Sequence, residues 1–259
     1  MSTNRFPDYA ELISNLTDSA FQDPANIDPR LTLTQDGPLA VHYAPFDHVE
    51  HDARLVLVGL TPGHQQMSLA LATTRDALRA GATYAEAAAT AKRAASFAGS
   101  MRTKLSEMLD RIGLQNVLGV SSCTEIWDRP GAVHYTSALR YPVLVQGRNY
   151  TGTPKPIVTP TLRRFIEREL VEEAHMLSGA IWVPLGTSAT DALLHLVNRS
   201  ELARERVLDG LPHPSGANAE RVAYFNGRKF RAALSSKTRP DKLDAARRDL
   251  KHRVAQLQA

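Results

Sequence analysis

The run Ala53-Arg54-Leu55-Val56-Leu57-Val58-Gly59 constrains this chain more than any other feature. It is short, rich in β-branched residues and almost unbroken in its apolar character. A half-exposed strand would alternate apolar and polar residues, so this run predicts a strand buried on both faces. Ala180-Ile181-Trp182-Val183-Pro184-Leu185-Gly186 predicts a second core strand, and the stretch 132–139 a third. Val117-Leu118-Gly119-Val120 is a weaker strand candidate.

Between these runs the pattern is helical. Leu12, Ile13 and Leu16 mark a helix over about 9–19. Residues 67–98 are rich in alanine, with Gly81 as a break. Leu105, Met108, Leu109 and Ile112 form one stripe over 101–112, and Gly113 follows where a C-terminal cap belongs. Thr159-Pro160 opens a further helix, Ser188 is placed to cap another over 189–197, and the tail 241–257 is amphipathic. The Pro- and Asp-rich passage 23–38 is loop chemistry, and 143–153 is an extended connection. Strands separated by helices predict an α/β domain with a largely parallel sheet. Ligands of such sheets bind beyond the carboxyl ends of the strands, where 59–63 and the loop after Gly186 should open.

Composition narrows the function classes. An apolar fraction of 43% beside a charged fraction of 22% fits a chain that buries a core and excludes a disordered one. Without a Gly/Ser-rich linker in 259 residues, a single core is the simpler expectation. No apolar run approaches the roughly 20 residues of a membrane span, and the first residues lack the shape of a secretory signal. A cytoplasmic protein is therefore expected. Cys123 is the single cysteine, which excludes an intramolecular disulfide and a cluster held by four thiolates. The histidines lack zinc-ligand spacing, and His48 and His51 read as a polar loop. No cofactor is implied. The net charge of +4 permits a polyanionic partner without demanding one. Arg221, Arg228, Lys229, Arg231, Lys237, Arg239 and Lys242 cluster late in the chain, where a solvated face and a phosphate-binding face are equally good readings.

Two segments carry candidate chemistry. In Gly59-Leu60-Thr61-Pro62-Gly63 the glycines allow close backbone approach and Pro62 fixes one dihedral, although many α/β proteins have such a turn for structural reasons alone. His213-Pro214-Ser215-Gly216-Ala217-Asn218 puts an ionisable ring on a rigid corner. The first segment resembles the Gly-x-Asn-Pro-Gly loop of mismatch-specific uracil/thymine glycosylases and the Gly-x-Ala-Pro-Gly loop of the bacterial iron–sulfur uracil glycosylases. Phe97-Ala98-Gly99-Ser100 resembles the latter group's Phe-Val-Gly-Arg segment. Tyr135-Thr136-Ser137-Ala138-Leu139-Arg140-Tyr141-Pro142 resembles its Ile-Thr-Asn-x-x-Lys-x-x-Pro strand end, and Leu185-Gly186-Thr187-Ser188-Ala189 its Leu-Gly-x-x-Ala. The last segment combines that group's His-Pro-Ser with the mismatch-specific group's Asn-Pro-Ser-Gly-x-Asn. The likeness runs in order from about Arg54 to Lys229, and on it the chain is similar to the uracil-DNA glycosylase superfamily.

That resemblance implies a three-layer α/β/α domain with a central, mostly parallel sheet of four or five strands. Its core would cover about 53–235, with the N- and C-terminal helices packed on it. It also implies hydrolysis of the N-glycosidic bond of uracil or another deaminated or damaged base in DNA, by a monomer without a metal cluster or a membrane partner. Such enzymes flip the nucleotide into a pocket, because the glycosidic bond is unreachable inside the stack. By carry-over, His213 would donate a hydrogen bond to the departing base, and Thr61 would stand in the water-holding loop. Gly59, Leu60, Pro62, Gly63, Phe97 and Ser137 would form the base pocket, with Phe97 stacking on the base. Ser215, Gly216, Asn218, Arg228 and Arg231 would grip the DNA backbone.

Three positions depart from the pattern. Thr61 replaces an Asn or Asp, and a Thr hydroxyl is no base near neutral pH. Ser137 replaces the Asn that reads the uracil edge, and Ala217 replaces a bulky wedge. They favour the alternative of a non-catalytic nucleic-acid-binding or sensing protein. A hydrolase of free nucleosides or nucleotides is a third reading, and it would not need the basic stretch.

Overall fold

The computed structural model describes residues 4–96 and 100–257. In chain order the elements are α1 (Phe6–Asn15), β1 (Thr32–Asp36), β2 (Leu39–His42), β3 (Leu55–Gly59), α2 (His64–Arg79), α3 (Tyr84–Ala95), α4 (Ser100–Arg111) and α5 (Leu114–Leu118). They continue as β4 (Val133–Ser137), β5 (Val143–Val145), β6 (Arg148–Asn149), α6 (Pro160–Phe165), α7 (Val171–Met176), β7 (Ile181–Pro184), α8 (Thr187–Asn198), α9 (Ala219–Phe225) and α10 (Pro240–Gln256). The fold is mixed α/β. The chain divides into two compact units that interleave in sequence, one of residues 1–49, 59–96 and 135–176, the other of 50–58, 97–134 and 177–259.

The second unit is organised by β3 and β7, which pair in parallel from Leu55 opposite Ile181 to Val58 opposite Pro184. All eight side chains in these positions are buried, as the unbroken apolar runs require. The strand order is β4-β3-β7. Beyond β7, Val207 makes one isolated parallel bridge to Trp182, and the Leu208 N–H donates to the Trp182 carbonyl at 2.8 Å. Among the described residues this sheet therefore has three regular strands, where four or five were expected. The Val207 carbonyl, on the edge away from β7, accepts from the guanidinium groups of Arg204 (2.9 Å) and Arg253 (2.7 Å).

Two sequence expectations in this unit are corrected. Residues 117–120 are not a strand: Gly113 and Gly119, both at positive φ, bracket the single-turn helix α5, which buries Leu114 and Leu118 four apart. Ser188 is not the cap of α8. Gly186 takes that position, with φ +99°, and Ser188 lies inside the helix. The expected stripe Leu105, Met108, Leu109 and Ile112 is buried, as are Leu250 and Val254 of α10.

The first unit holds α1, α2 and α3 together with an antiparallel sheet of order β1-β2-β5-β6. Gly81 (φ +87°) separates α2 from α3, and Thr83 and Glu86 cap α3 reciprocally. The antiparallel sheet is a further correction, since β1 falls in the passage read as loop, and β5 and β6 in the one read as an extended connection. β1 and β2 are joined through Gly37, and β2 pairs with β5 about a hundred residues later, as in Val41 opposite Val143. Pro160 opens α6 as expected, and a wider helical turn over Ile166–Leu170 joins it to α7.

Candidate functional site

His213 lies in the second unit, six residues past the Trp182–Val207 bridge. One hydrogen bond orients its ring: the backbone N–H of Ser215 donates to Nδ1 at 3.2 Å. Gly186 lies near the other edge, where a β-carbon would stand 3.6 Å from Cδ2, in ordinary van der Waals contact. A ring nitrogen that accepts an N–H carries no proton itself, so the neutral ring has its proton on Nε2. Burial pushes the His213 pKa below its ordinary value and favours that neutral form. In the neutral form that burial favours, Nε2 is the nitrogen left to carry the proton, and it has no hydrogen-bond partner among the described residues.

The segment after it is stitched to α9. Asn218 Nδ2 donates to Ser215 Oγ (3.4 Å), and Arg221 donates to Asn218 Oδ1 (2.7 Å) and to the Lys237 carbonyl (3.5 Å). Gly216 and Ala217 are exposed between these anchors. Arg228 pairs with Glu107, and Arg231 with Asp241 at 2.6 Å; both guanidinium groups are more than half exposed. Exposed pairs contribute little and are screened by salt, so neither commits its arginine against a phosphate. The segment feeding His213 is held from behind, since Arg253 and Arg204 both reach Asp209 at 2.9 Å. Burial raises the Asp209 pKa, but the Arg253 hydrogen bond and the two guanidinium charges outweigh it and leave it lowered.

The first unit holds Gly59, Leu60, Thr61, Pro62, Gly63 and Ser137. The Gly59 and Leu60 carbonyls accept from the backbone N–H groups of Ala138 (2.8 Å) and Leu139 (2.9 Å), which brings Ser137 beside the start of this turn. Thr61 has a structural occupation. Its hydroxyl donates to the Tyr141 carbonyl (3.0 Å) and accepts from the Val143 N–H (3.2 Å), so its proton is not available to a water. Pro62 is buried. Gly63 donates its N–H to Gln66 Oε1 (2.9 Å), and Asn149 Oδ1 accepts from the His64 N–H (2.7 Å). The amides of Gly63 and His64 at the start of α2 are therefore satisfied by side chains. Phe97 lies outside the described residues.

Sequence reasoning missed the groups that hold the turn. Tyr141, whose carbonyl takes the Thr61 proton, donates its own hydroxyl to buried Asp47 (2.7 Å). Asp47 also accepts from the Tyr43 hydroxyl and the Arg5 N–H, both at 2.9 Å. Burial nevertheless raises its pKa, opposed by the two tyrosine hydrogen bonds and the Arg140 charge. Arg140 in turn pairs with fully buried Glu173 at 2.8 Å. Tyr141 lies 94 residues from Asp47 and the three follow no motif, so no sign of the cluster was legible in the sequence.

Among the described residues no cluster of three His, Cys, Asp or Glu could hold a metal ion, and no helix is long and apolar enough to cross a membrane. The chain is 35% identical over 227 residues to a protein of Bacillus subtilis (strain 168) described as uncharacterized protein YoxB, covering 86% of this chain and 88% of that one. No family model and no solved structure matches.

Proposed function

The chain belongs to the same family as YoxB of Bacillus subtilis, and we propose that it is a DNA glycosylase that removes uracil or another deaminated or damaged base. One observation carries this reading: the Ser215 N–H occupies His213 Nδ1, which leaves Nε2, without a hydrogen-bond partner among the described residues, to carry the proton of the neutral ring. As a glycosidic bond breaks, the sugar gains positive character and the base leaves as an anion. A fixed neutral N–H aimed at a base carbonyl stabilises that anion without a prior proton transfer. The ordered likeness of segments 59–63, 135–142, 185–189 and 213–218 to uracil-DNA glycosylases supports the same chemistry. The Thr61 hydroxyl, tied to Tyr141 and Val143, would contribute the shape of its turn and not a general base.

That same tie favours a second reading, a nucleic-acid-binding protein without catalysis. Labelled single- and double-stranded oligonucleotides carrying uracil, hypoxanthine, xanthine or a mismatch, followed by alkaline cleavage, separate the two. Abasic product on at least one substrate is expected. Tight binding with no product on any substrate would replace the first reading by the second, and release of base from free nucleosides alone would point to a nucleoside hydrolase.

A further inference from the structure

Phe230 is 83% exposed, the most exposed large apolar side chain among the described residues. It stands between Lys229 and Arg231, in a stretch 218–242 with seven cationic side chains against two carboxylates. Lys237, Arg239 and Lys242 are exposed and have no acidic partner among the described residues.

The loop that displays Phe230 is held at both ends by one side chain. Glu220, in the first turn of α9, accepts from Lys229 Nζ (2.7 Å), from the Ser235 N–H (3.1 Å) and hydroxyl (2.6 Å), and from the Thr238 hydroxyl. These bonds, that of Lys229 foremost, hold the Glu220 carboxyl well below the usual carboxylate range, so the clamp persists into acid. Its neighbour Arg221 ties Lys237 to Asn218 of the His213 segment. Phe230 is therefore presented on a pre-organised cationic loop anchored to the same helix start as the candidate catalytic segment.

We propose that Phe230 is a stacking platform for an unpaired base of a nucleic-acid strand whose phosphates follow the cationic side chains of 221–242. The choice of nucleic acid rests on the glycosylase reading and on this charge. A phenyl ring on a cationic surface offers a π-face that any base can use, and the phosphates supply the complementary charge. A base inside a duplex is already stacked on both faces, so the partner is a single-stranded segment. The fixed loop lowers the ordering cost of the contact.

The test is fluorescence anisotropy with a labelled oligothymidine and a duplex of equal length, across a salt series. F230A should weaken oligothymidine binding about tenfold and leave the salt slope unchanged, because no phosphate contact is lost. F230W should restore affinity, and duplex binding should not respond. Equal oligothymidine affinity for F230A and the native chain would overturn the proposal, as would an equal loss on the duplex. The glycosylase reading fails separately: loss of binding in F230A, with no abasic product from the native chain, would uphold Phe230 and remove the catalysis. Abasic product with binding untouched in F230A would do the reverse.

Discussion

An imidazole donates from a fixed atom at neutral pH only when its other nitrogen is occupied as an acceptor, and the Ser215 amide meets that condition for His213. Protonation would put a hydrogen on Nδ1 against the Ser215 N–H and break the hold. Because burial lowers the folded pKa below the usual 6.5, cleavage should be level through neutral pH and fall only on the acid side of that value. Stability follows the same sign. The unfolded chain takes up this proton near 6.5 and the folded chain only below it, so the contribution is fully present above 6.5 and declines as pH falls toward the folded pKa. Urea midpoints of the native chain and H213Q across pH 4–8, a range set by the ~6.5 reference, should diverge on the acid side; parallel curves would remove the buried neutral ring. For Thr61, a valine of the same shape deprives the Tyr141 carbonyl and the Val143 N–H of their partner. T61V should cost about 1–3 kcal/mol in urea unfolding, while T61S stays close to native. Equal stability of the two variants would show that the hydroxyl does not anchor the turn.

At the scale of elements, α8 begins at a residue that only glycine suits. Gly186 has φ +99°, and a β-carbon there would stand 3.6 Å from the His213 ring. G186A should destabilise the protein by at least about 1 kcal/mol and lower the cleavage rate further than that loss explains. A variant of native stability and rate would separate α8 from the site. Which elements were legible follows from how each is specified. β3 and β7 announce themselves because strands buried on both faces need unbroken apolar runs. β1 and β2 do not, because Thr32-Leu33-Thr34-Gln35-Asp36 is polar and half-exposed, and its pairing comes from distant β5 through β2. Residues 117–118 look like the start of a strand by composition, but glycines on both sides leave room for one helical turn only. The His213 segment was legible as a motif. Its proton position was not, since that depends on which ring nitrogen the Ser215 amide meets in the folded turn. Asp47 and Asn149 escaped notice because each acts on backbone or hydroxyl groups remote in sequence.

Across the whole chain, a net charge of +4 conceals an uneven distribution, since the late basic stretch alone exceeds it. If Arg228 and Arg231 meet phosphate, R228A and R231A should each weaken DNA binding and flatten its salt dependence by about one unit of slope. An unaltered slope would return both to a solvated face and leave the pairs with Glu107 and Asp241 as their only role. The likeness to YoxB extends over most of both chains, so the same test applied to that protein would show whether the chemistry is shared. The most direct measurement is the yield of abasic sites from a uracil-containing oligonucleotide under single-turnover conditions, for the native chain and for H213A. Product from the native chain, none from H213A, and nearly equal DNA affinity for both is the expected result. Cleavage by H213A at the native rate would contradict the role given to its ring.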